Sequence, residues 1–288
     1  PSTYGDWIQL AQLYRIKGQY SQAVRSTQQA YIIANNHHQI YTTLILQGDL
    51  YYQQGKLPQA NRSYQQAIHT LNEKTGGATH TMTASLQLEY LSTLQKLGQL
   101  QLERRDFDGA LYAYRQALDS ILIIVQSQPD LVQYQQQHAD IIERIAQIEL
   151  ANGLTNSALS LYQQSYDMRL GIARLNSTTD TRRDVSVTLD RIGDLKKELG
   201  MSNEARAAYR QSYDIRKKIV NNHPTSTTAQ RDIAVSLTKM AAINQSGIRW
   251  EQVLKQFESM DSKGQLAPDD REYLVFSREM ATLQDAAP

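Results

Sequence analysis

The sequence of 288 residues contains no cysteine and only 6 prolines. Without cysteine the chain can form no disulfide, offers no thiol nucleophile and cannot hold a thiolate-ligated metal centre. No apolar run reaches the roughly 18 residues that a membrane-spanning helix needs, and no signal peptide precedes Trp7. We expect a cytoplasmic protein with no membrane partner, and the periplasm stays open as an alternative.

An excess of charge of either sign is also missing, because 30 Lys and Arg residues face 29 Asp and Glu residues. The basic doublets, such as Arg104–Arg105 and Arg182–Arg183, are scattered and mixed with acids. A binder of nucleic acid usually shows a contiguous basic stripe, so the sequence predicts no nucleic-acid partner.

Motifs for catalysis and for cofactors are absent as well. The sequence has no GxSxG elbow, no HExxH pair and no phosphate-binding glycine loop, and its 6 histidines show no ligand spacing. We therefore expect no catalytic residue, no metal and no cofactor.

What the chain does contain is a recurring phrase of a small residue, an aromatic residue four positions later and a second small residue three further on. Another small residue stands twelve positions before each phrase, from Gly48 to Gly193 in the clearest copies. Small residues at fixed positions let two helices approach closely, while the aromatic ring fills the space between them. The clearest copies are Ala60–Tyr64–Ala67, Ala110–Tyr114–Ala117, Ala158–Tyr162–Ser165 and Ala205–Tyr209–Ser212.

Each copy is therefore predicted to be a helical hairpin. Gly18, Gly55, Gly153 and Gly200 fall where the first helix of a pair should end, a position that favours a left-handed residue. Polar stretches at 74–83, 176–181 and 221–228 are predicted to be loops.

This pattern resembles the tetratricopeptide repeat family over roughly residues 4 to 262. The resemblance is carried in the first copy by Trp7, Leu10, Ala11, Tyr14, Ala23 and Ala30, and in the second by Leu44, Gly48, Tyr51, Ala60, Tyr64 and Ala67. It implies a single all-α, right-handed superhelical solenoid of about six hairpins. The repeats are placed near 4–40, 41–82, 83–130, 131–180, 181–228 and 229–262, with a capping helix at about 269–284.

The anchor residues 60, 110, 158, 205 and 253 are spaced by 50, 48, 47 and 48 residues, whereas the family period is about 34. We expect longer helices and connections in the later repeats. Such a period resembles arrays attached to effector or signalling modules in bacterial multidomain proteins, and we expect further protein upstream of Pro1.

The stretch QQSYDMRL at 163–170 returns as RQSYDIRK at 210–217. Its serines, Ser165 and Ser212, occupy the slot that alanine fills in other copies, which predicts packing rather than catalysis. Asp167 and Arg169 are two residues apart and so point to different helix faces, as do Asp214 and Arg216. Each is expected to bridge to an adjacent helix or to solvent.

Two further segments are apolar. ILIIV at 121–125 is expected to pack against the following helix, with a dimer contact as the alternative. The closing helix is expected to start at an Asp269 cap, to bury a stripe at Tyr273, Phe276, Met280 and Leu283, and to be polar outside.

The family resemblance also implies a partner site, on the concave face lined by the first helix of each hairpin. The fifth, ninth and twelfth positions of the repeat give a partner-binding set rich in amides and acids, which can hydrogen-bond a peptide backbone and attract basic side chains. Ordinary solvation of an exposed helix face is the alternative for the acids. The set is Gln12, Asp49, Tyr52, Gln99, Glu143, Gln147, Asp190, Asp194 and Lys197.

The sequence thus predicts a non-catalytic protein- or peptide-binding scaffold, serving as the sensor or interaction module of a larger multidomain protein. The alternative is a receptor for a small ligand or signal peptide with a deep pocket lined by Tyr52, Gln99 and Gln147. If the acids recognise a basic partner, replacing Asp190 and Asp194 by Asn should weaken binding without unfolding the array.

Overall fold

The computed structural model describes residues 1–76, 82–243 and 247–286, and throughout these ranges the regular structure is helical, without strands. The predicted all-α fold is confirmed. The chain forms two compact units, Pro1–Asn152 and Gly153–Pro288, which meet in sequence at the turn between the seventh and eighth helices. Residues 77–81 of the first predicted loop lie outside the described ranges.

The first unit contains seven helices within its described residues, and each packs against the next along the chain. They are α1 (Tyr4–Ile16), α2 (Tyr20–Ile33), α3 (His37–Gln53), α4 (Leu57–Thr75), α5 (Ala84–Glu103), α6 (Phe107–Ser127) and α7 (Val132–Ala151).

The second unit repeats this arrangement of sequential pairs within its described residues. Its helices are α8 (Thr155–Leu175), α9 (Thr179–Glu198), α10 (Ser202–Asn222), α11 (Thr227–Ala241), α12 (Trp250–Ser262) and, after a 3₁₀ turn at Pro268–Asp270, α13 (Arg271–Ala286).

Most of the first helices of the pairs begin at a side-chain cap. A Ser, Thr or Asn oxygen accepts a hydrogen bond from a free backbone N–H in the first turn, which stabilises the helix start. The capping residues are Thr3, Asn36, Thr83, Thr178 and Ser226. Local sequence therefore fixes where these helices begin.

The turns within the hairpins reverse the chain through a left-handed residue, as predicted. Gly55 and Gly200 have φ of 70° and 76°, and the following N–H groups bond back to carbonyls five residues earlier, as Met201 does to Lys196 at 2.8 Å. In the third hairpin this place is taken by Arg105, with φ of 58°. A side chain in this conformation is strained.

The two helices of a hairpin are held at close range by a tyrosine ring lying on a glycine. A Cβ at Gly193 would lie 2.5 Å from the ring of Tyr209, and one at Gly98 would lie 2.7 Å from the ring of Tyr114. The tyrosines are buried. The predicted role of the small residue and the aromatic residue, which is close packing between paired helices, is confirmed at these positions.

The expected lengthening of the later helices holds for the third to fifth pairs but is wrong for the sixth. Helices α9 and α10 have 20 and 21 residues, against 13 and 14 for α1 and α2. Helices α11 and α12 have only 15 and 13 residues. The extra residues of the last repeat lie in its connections instead.

The ILIIV segment lies in α6, which packs on α7. Its Ile121 and Ile124 are buried inside the first unit, while Leu122 is partly exposed. Packing within the first unit, where α6 lies against both α5 and α7, therefore buries these two residues of the apolar run.

The closing helix α13 differs from its prediction in register and in its outer surface. Met280 of the predicted stripe packs against the core, together with Leu274, Ser277 and Ala281. The other three members of the stripe, Tyr273, Phe276 and Leu283, are exposed by 52%, 45% and 63%. The small Ser277 and Ala281 let the helix lie close to α12, and the aromatic rings of Tyr273 and Phe276 pack along its flanks. The outer side is therefore not polar throughout.

The glycine beneath the tyrosine ring can be tested by adding one methyl group. We expect Gly193→Ala to lower the free energy of unfolding by about 1–3 kcal/mol, because the ring of Tyr209 must shift. Gly171 lies in α8, where an added Cβ would meet only open space, so Gly171→Ala should leave stability unchanged or raise it by up to about 1 kcal/mol. Urea unfolding of both variants checks this, and equal effects would contradict it.

The left-handed Arg105 gives a second test. Arg105→Gly should raise the free energy of unfolding by about 1 kcal/mol, because glycine adopts positive φ without strain. The control is Arg104→Gly, one residue earlier, where φ is −84° and glycine should destabilise. Thermal unfolding measures both, and a loss of stability in Arg105→Gly would refute the strain argument.

Candidate functional site

The ninth repeat position carries an aspartate in the second and fifth hairpins, and each is held by two partners. Asp49 accepts hydrogen bonds from the hydroxyl of Tyr64 at 2.6 Å and from Nζ of Lys96 at 2.8 Å. Because Lys96 lies on α5 and Asp49 on α3, the contact ties the first helices of two successive hairpins.

The fifth hairpin repeats this arrangement. Asp194 accepts from the hydroxyl of Tyr209 at 2.7 Å and from Nζ of Lys239, on α11, at 2.6 Å. Burial, and next the hydrogen bond to Asp194, raises the pKa of Tyr209 above its usual range. The tyrosine therefore stays protonated and donates. The same three-residue tie thus recurs in both units.

The lysines of these ties belong to a periodic set of cations that the sequence reasoning missed. Lys96, Arg144, Arg191 and Lys239 are spaced by 48, 47 and 48 residues, which is the repeat period. In the second unit Arg191 lies 5.8 Å from the ring centroid of Tyr162, and Lys239 lies 5.4 Å from that of Tyr209. The constant spacing was the signal that could have revealed them.

Two other members of the predicted set are brought together in the first unit. Tyr52 donates to Oε1 of Glu103 at 2.6 Å, and the amide of Gln99 donates to the same oxygen at 3.3 Å. Tyr52 remains 40% exposed. The cluster is a polar surface patch, and Glu103 is the residue that sequence reasoning omitted from it.

The remaining members are dispersed. Gln12 and Lys197 are exposed on α1 and α9, and Gln147 on α7 accepts a hydrogen bond from Arg144 at 3.1 Å. Glu143 is only 7% exposed and Asp190 only 6%. These two acids are interior residues and do not form part of an open binding surface.

Asp190 belongs to a buried polar network around Arg216. The guanidinium contacts the Asp190 carboxylate at 2.6 Å and donates to the hydroxyls of Ser186 and Ser236 at 3.1 and 2.9 Å. It also donates to the backbone carbonyl of Asp232 at 3.1 Å. Burial raises the pKa of Asp190, which the charge of Arg216 opposes. The network joins α9, α10 and α11.

This network explains the duplicated QQSYDMRL and RQSYDIRK stretches. Ser165 and Ser212 are fully buried, which confirms their packing role, and Arg169 and Arg216 are buried beside them. Arg169 lies 3.4 Å from Asp184 on the next helix. The arginines therefore bridge to adjacent helices.

A groove in the second unit brings residues of four helices together. It lies between α9, α11, α12 and the start of α13, and its volume is about 590 Å³. None of the nine predicted partner-binding residues lines it. Its link to them is Lys239, which lines the groove and bonds Asp194.

The floor of the groove is apolar. The rings of Phe257 and Tyr273 stack with centroids 6.2 Å apart, and Val235 on α11 stands beside them with 39% of its surface exposed. The apolar floor forms only because α13 packs against α12, which brings Tyr273 onto Phe257. Sequence reasoning assigned Tyr273 to the core, so it could not identify this surface.

The rim of the groove is charged. Arg183 donates to both carboxylate oxygens of Asp232, and Arg231 donates through Nε and Nη2 to Oδ1 of Asp270 at 3.1 and 2.8 Å. Hydrogen bonds to Asp232 and Asp270 raise the pKa of both arginines, which remain cations. An apolar floor with a polar rim can hold one large side chain and bond a peptide backbone.

Neither a metal site nor a membrane span is found in the described part of the chain. It contains no group of three or more His, Asp or Glu side chains placed to hold a metal ion. No helix there is both long enough and apolar enough to span a bilayer.

Comparison with protein families identifies part of this array by sequence. The tetratricopeptide repeat family matches residues 188–219, which include most of α9 and α10. Curated protein sequences give no match. The predicted family resemblance is confirmed in this segment. Over the rest of the chain the likeness is one of fold.

Solved structures with the same fold extend the likeness along the chain. A tetratricopeptide repeat protein from Parabacteroides merdae is 17% identical, with a TM-score of 0.58, over 98% of this chain and 91% of its own. The apo form of RapI is 13% identical, with a TM-score of 0.60, over 89% of this chain and 63% of its own. A signal transduction ATPase with a tetratricopeptide repeat sensor, from Pyrococcus horikoshii, is 14% identical, with a TM-score of 0.57, over 91% and 36%.

The buried Asp190 changes the expectation for its replacement by Asn. Removing one partner of a buried ion pair leaves an uncompensated charge, so we expect Arg216→Ala to destabilise the protein by about 3–5 kcal/mol. Asp190→Asn should also destabilise it, instead of only weakening a partner. Urea unfolding measures both.

The matched control is Arg210→Ala on the same helix. Arg210 pairs with Asp214 four residues on, and both side chains are more than half exposed, at 55% and 53%. Its loss should cost less than about 0.5 kcal/mol. If Arg216→Ala is as mild as Arg210→Ala, the network does not stabilise the second unit.

Proposed function

We propose that the chain is a non-catalytic protein-interaction scaffold that binds an extended peptide segment of its partner in the groove of the second unit. The observation that carries this proposal is the exposed Val235 and Tyr273 beside buried Phe257, within a groove of about 590 Å³. Exposed apolar groups at a rimmed concave site are typical of a binding surface.

The rim supports a peptide as the occupant. An extended backbone offers alternating N–H and C=O groups, and the threonines Thr227, Thr228 and Thr238 line the groove beside the arginines. Hydroxyl groups both donate and accept. Together they can bond a peptide backbone while its side chain contacts the apolar floor.

The proposal places the partner elsewhere than the sequence expectation did, and it does not require a basic partner. Asp49, Asp190 and Asp194 each contact a cation of the chain itself. Their charge is already compensated, so they give little attraction to a basic partner. This favours the groove of the second unit over these fifth- and ninth-position acids.

The scaffold is proposed to act as a sensor or interaction module. The solved signal transduction ATPase contains a tetratricopeptide repeat sensor with this fold. This chain spans 36% of that protein. An array of the same fold can thus form one part of a larger protein, which supports a modular role here.

Selection from a random peptide display library tests the proposed function. We expect the wild-type chain to enrich peptides that bind with micromolar affinity, as measured by fluorescence anisotropy on synthetic copies. Val235→Asp should weaken them at least about tenfold, because it places a charge on the apolar floor.

The control is Leu175→Asp, at the exposed end of α8, where the side chain is 78% exposed and outside the groove. It should change peptide affinity less than about twofold. Failure to enrich any peptide, or equal binding by Val235→Asp, would reject the groove as the site.

A further inference from the structure

The two arginines on the rim of the groove are more exposed than the carboxylates with which they pair. The side chain of Arg183 is 41% exposed and that of Asp232 only 14%. The side chain of Arg231 is 54% exposed and that of Asp270 only 4%. The groove therefore presents guanidinium groups to a ligand, and the carboxylates lie behind them.

These carboxylates hold the guanidinium groups in fixed orientations. Both arginines donate to them through Nε and Nη2, and Nη1 of each bonds no acceptor within the described residues. A planar guanidinium held from behind keeps its outer N–H groups aligned for a second acceptor. Carboxylates fit this geometry, and they are the anionic acceptors that the side chains of an unmodified peptide supply.

The apolar floor lies next to one of these groups. Arg231 and Val235 are four residues apart on α11 and share one face of the helix, and both line the groove. When one side chain of a peptide ligand contacts Val235 and Tyr273, the adjacent residues of the peptide are therefore within reach of Arg231.

Other carboxylates act on the same cations from outside the groove lining. Asp180 and Asp184 act on Arg183, and Asp269 acts on Arg231. These acids weaken the long-range attraction of the arginines for an anion. A hydrogen bond donated by Nη1 to a ligand acts only at contact. Selectivity should therefore come from direct hydrogen bonding and not from long-range steering.

Resting on the proposed function, we infer that the groove selects peptide segments in which an acidic side chain, Asp or Glu, lies next to an apolar anchor residue. The anchor contacts Val235 and Tyr273, and the carboxylate accepts hydrogen bonds from Arg231, with Arg183 as the second donor. This is opposite in charge to the basic partner expected from the sequence.

The same display library provides the test. Among peptides that lose binding to Val235→Asp, we expect Asp and Glu to be enriched within three residues of the anchor. Replacing that acid by Gln in a synthetic copy should weaken binding about tenfold or more, and replacing it by Lys should weaken it further.

The protein-side variant is the double substitution Arg231→Gln with Asp270→Asn. It removes the cation together with the acid buried behind it, so no uncompensated charge remains to unfold the unit. The preference of the groove for Glu over Gln in the peptide should fall to about twofold or less, since Arg231, the first donor to the Glu carboxylate, is gone. Arg249→Gln is the control, because Arg249, which directly precedes α12, pairs with Asp285 on α13 and does not line the groove.

The outcomes separate the inference from the proposed function. Peptides that bind in the groove without acidic enrichment, or that bind the double variant with an unchanged preference, overturn the inference and leave the scaffold function standing. If no peptide depends on Val235, both fail. Circular dichroism of each variant confirms that a lost preference arises in a folded protein.

Discussion

The close contact of a tyrosine ring with a glycine is the constraint on which the second, third and fifth hairpins depend. At Gly193 the missing Cβ leaves the space that Tyr209 occupies, and the two helices can approach only because of it. The same tyrosine then reaches Asp194 with its hydroxyl, and Asp194 is thereby placed to receive Lys239 of the next hairpin. Packing within one pair thus positions the polar tie to the following pair.

Contacts within the chain itself occupy several acids at the positions where the family binds partners. Exposed acids on the first helices look like contacts for a partner when only the spacing is considered. In the folded chain Asp49 and Asp194 bond a lysine of the next hairpin, and Asp190 is buried against Arg216. The same positions therefore also contribute to the stacking of repeats, and the groove lies apart from them, where the repeat pattern ends.

The groove forms at that end because the last pair is different. Helices α11 and α12 are shorter than α3 to α10, and α13 closes the unit with small residues toward the core. Its aromatic residues are displaced to the flank, where Tyr273 stacks on Phe257 beside Val235. A capping helix with this register both covers the core and leaves apolar surface accessible at a charged rim.

The sequence by itself determined the helical hairpins, their turns and their packing residues, because each depends on local propensity and on a spacing that repeats. It also identified the buried role of Ser165 and Ser212. Only the tertiary structure decided which charges pair, since Lys96 and Asp49 are 47 residues apart and meet through the stacking of two hairpins. The register of α13, and with it the groove, was decided in the same way, because ring contacts with Trp250 and Phe257 settle which face is buried.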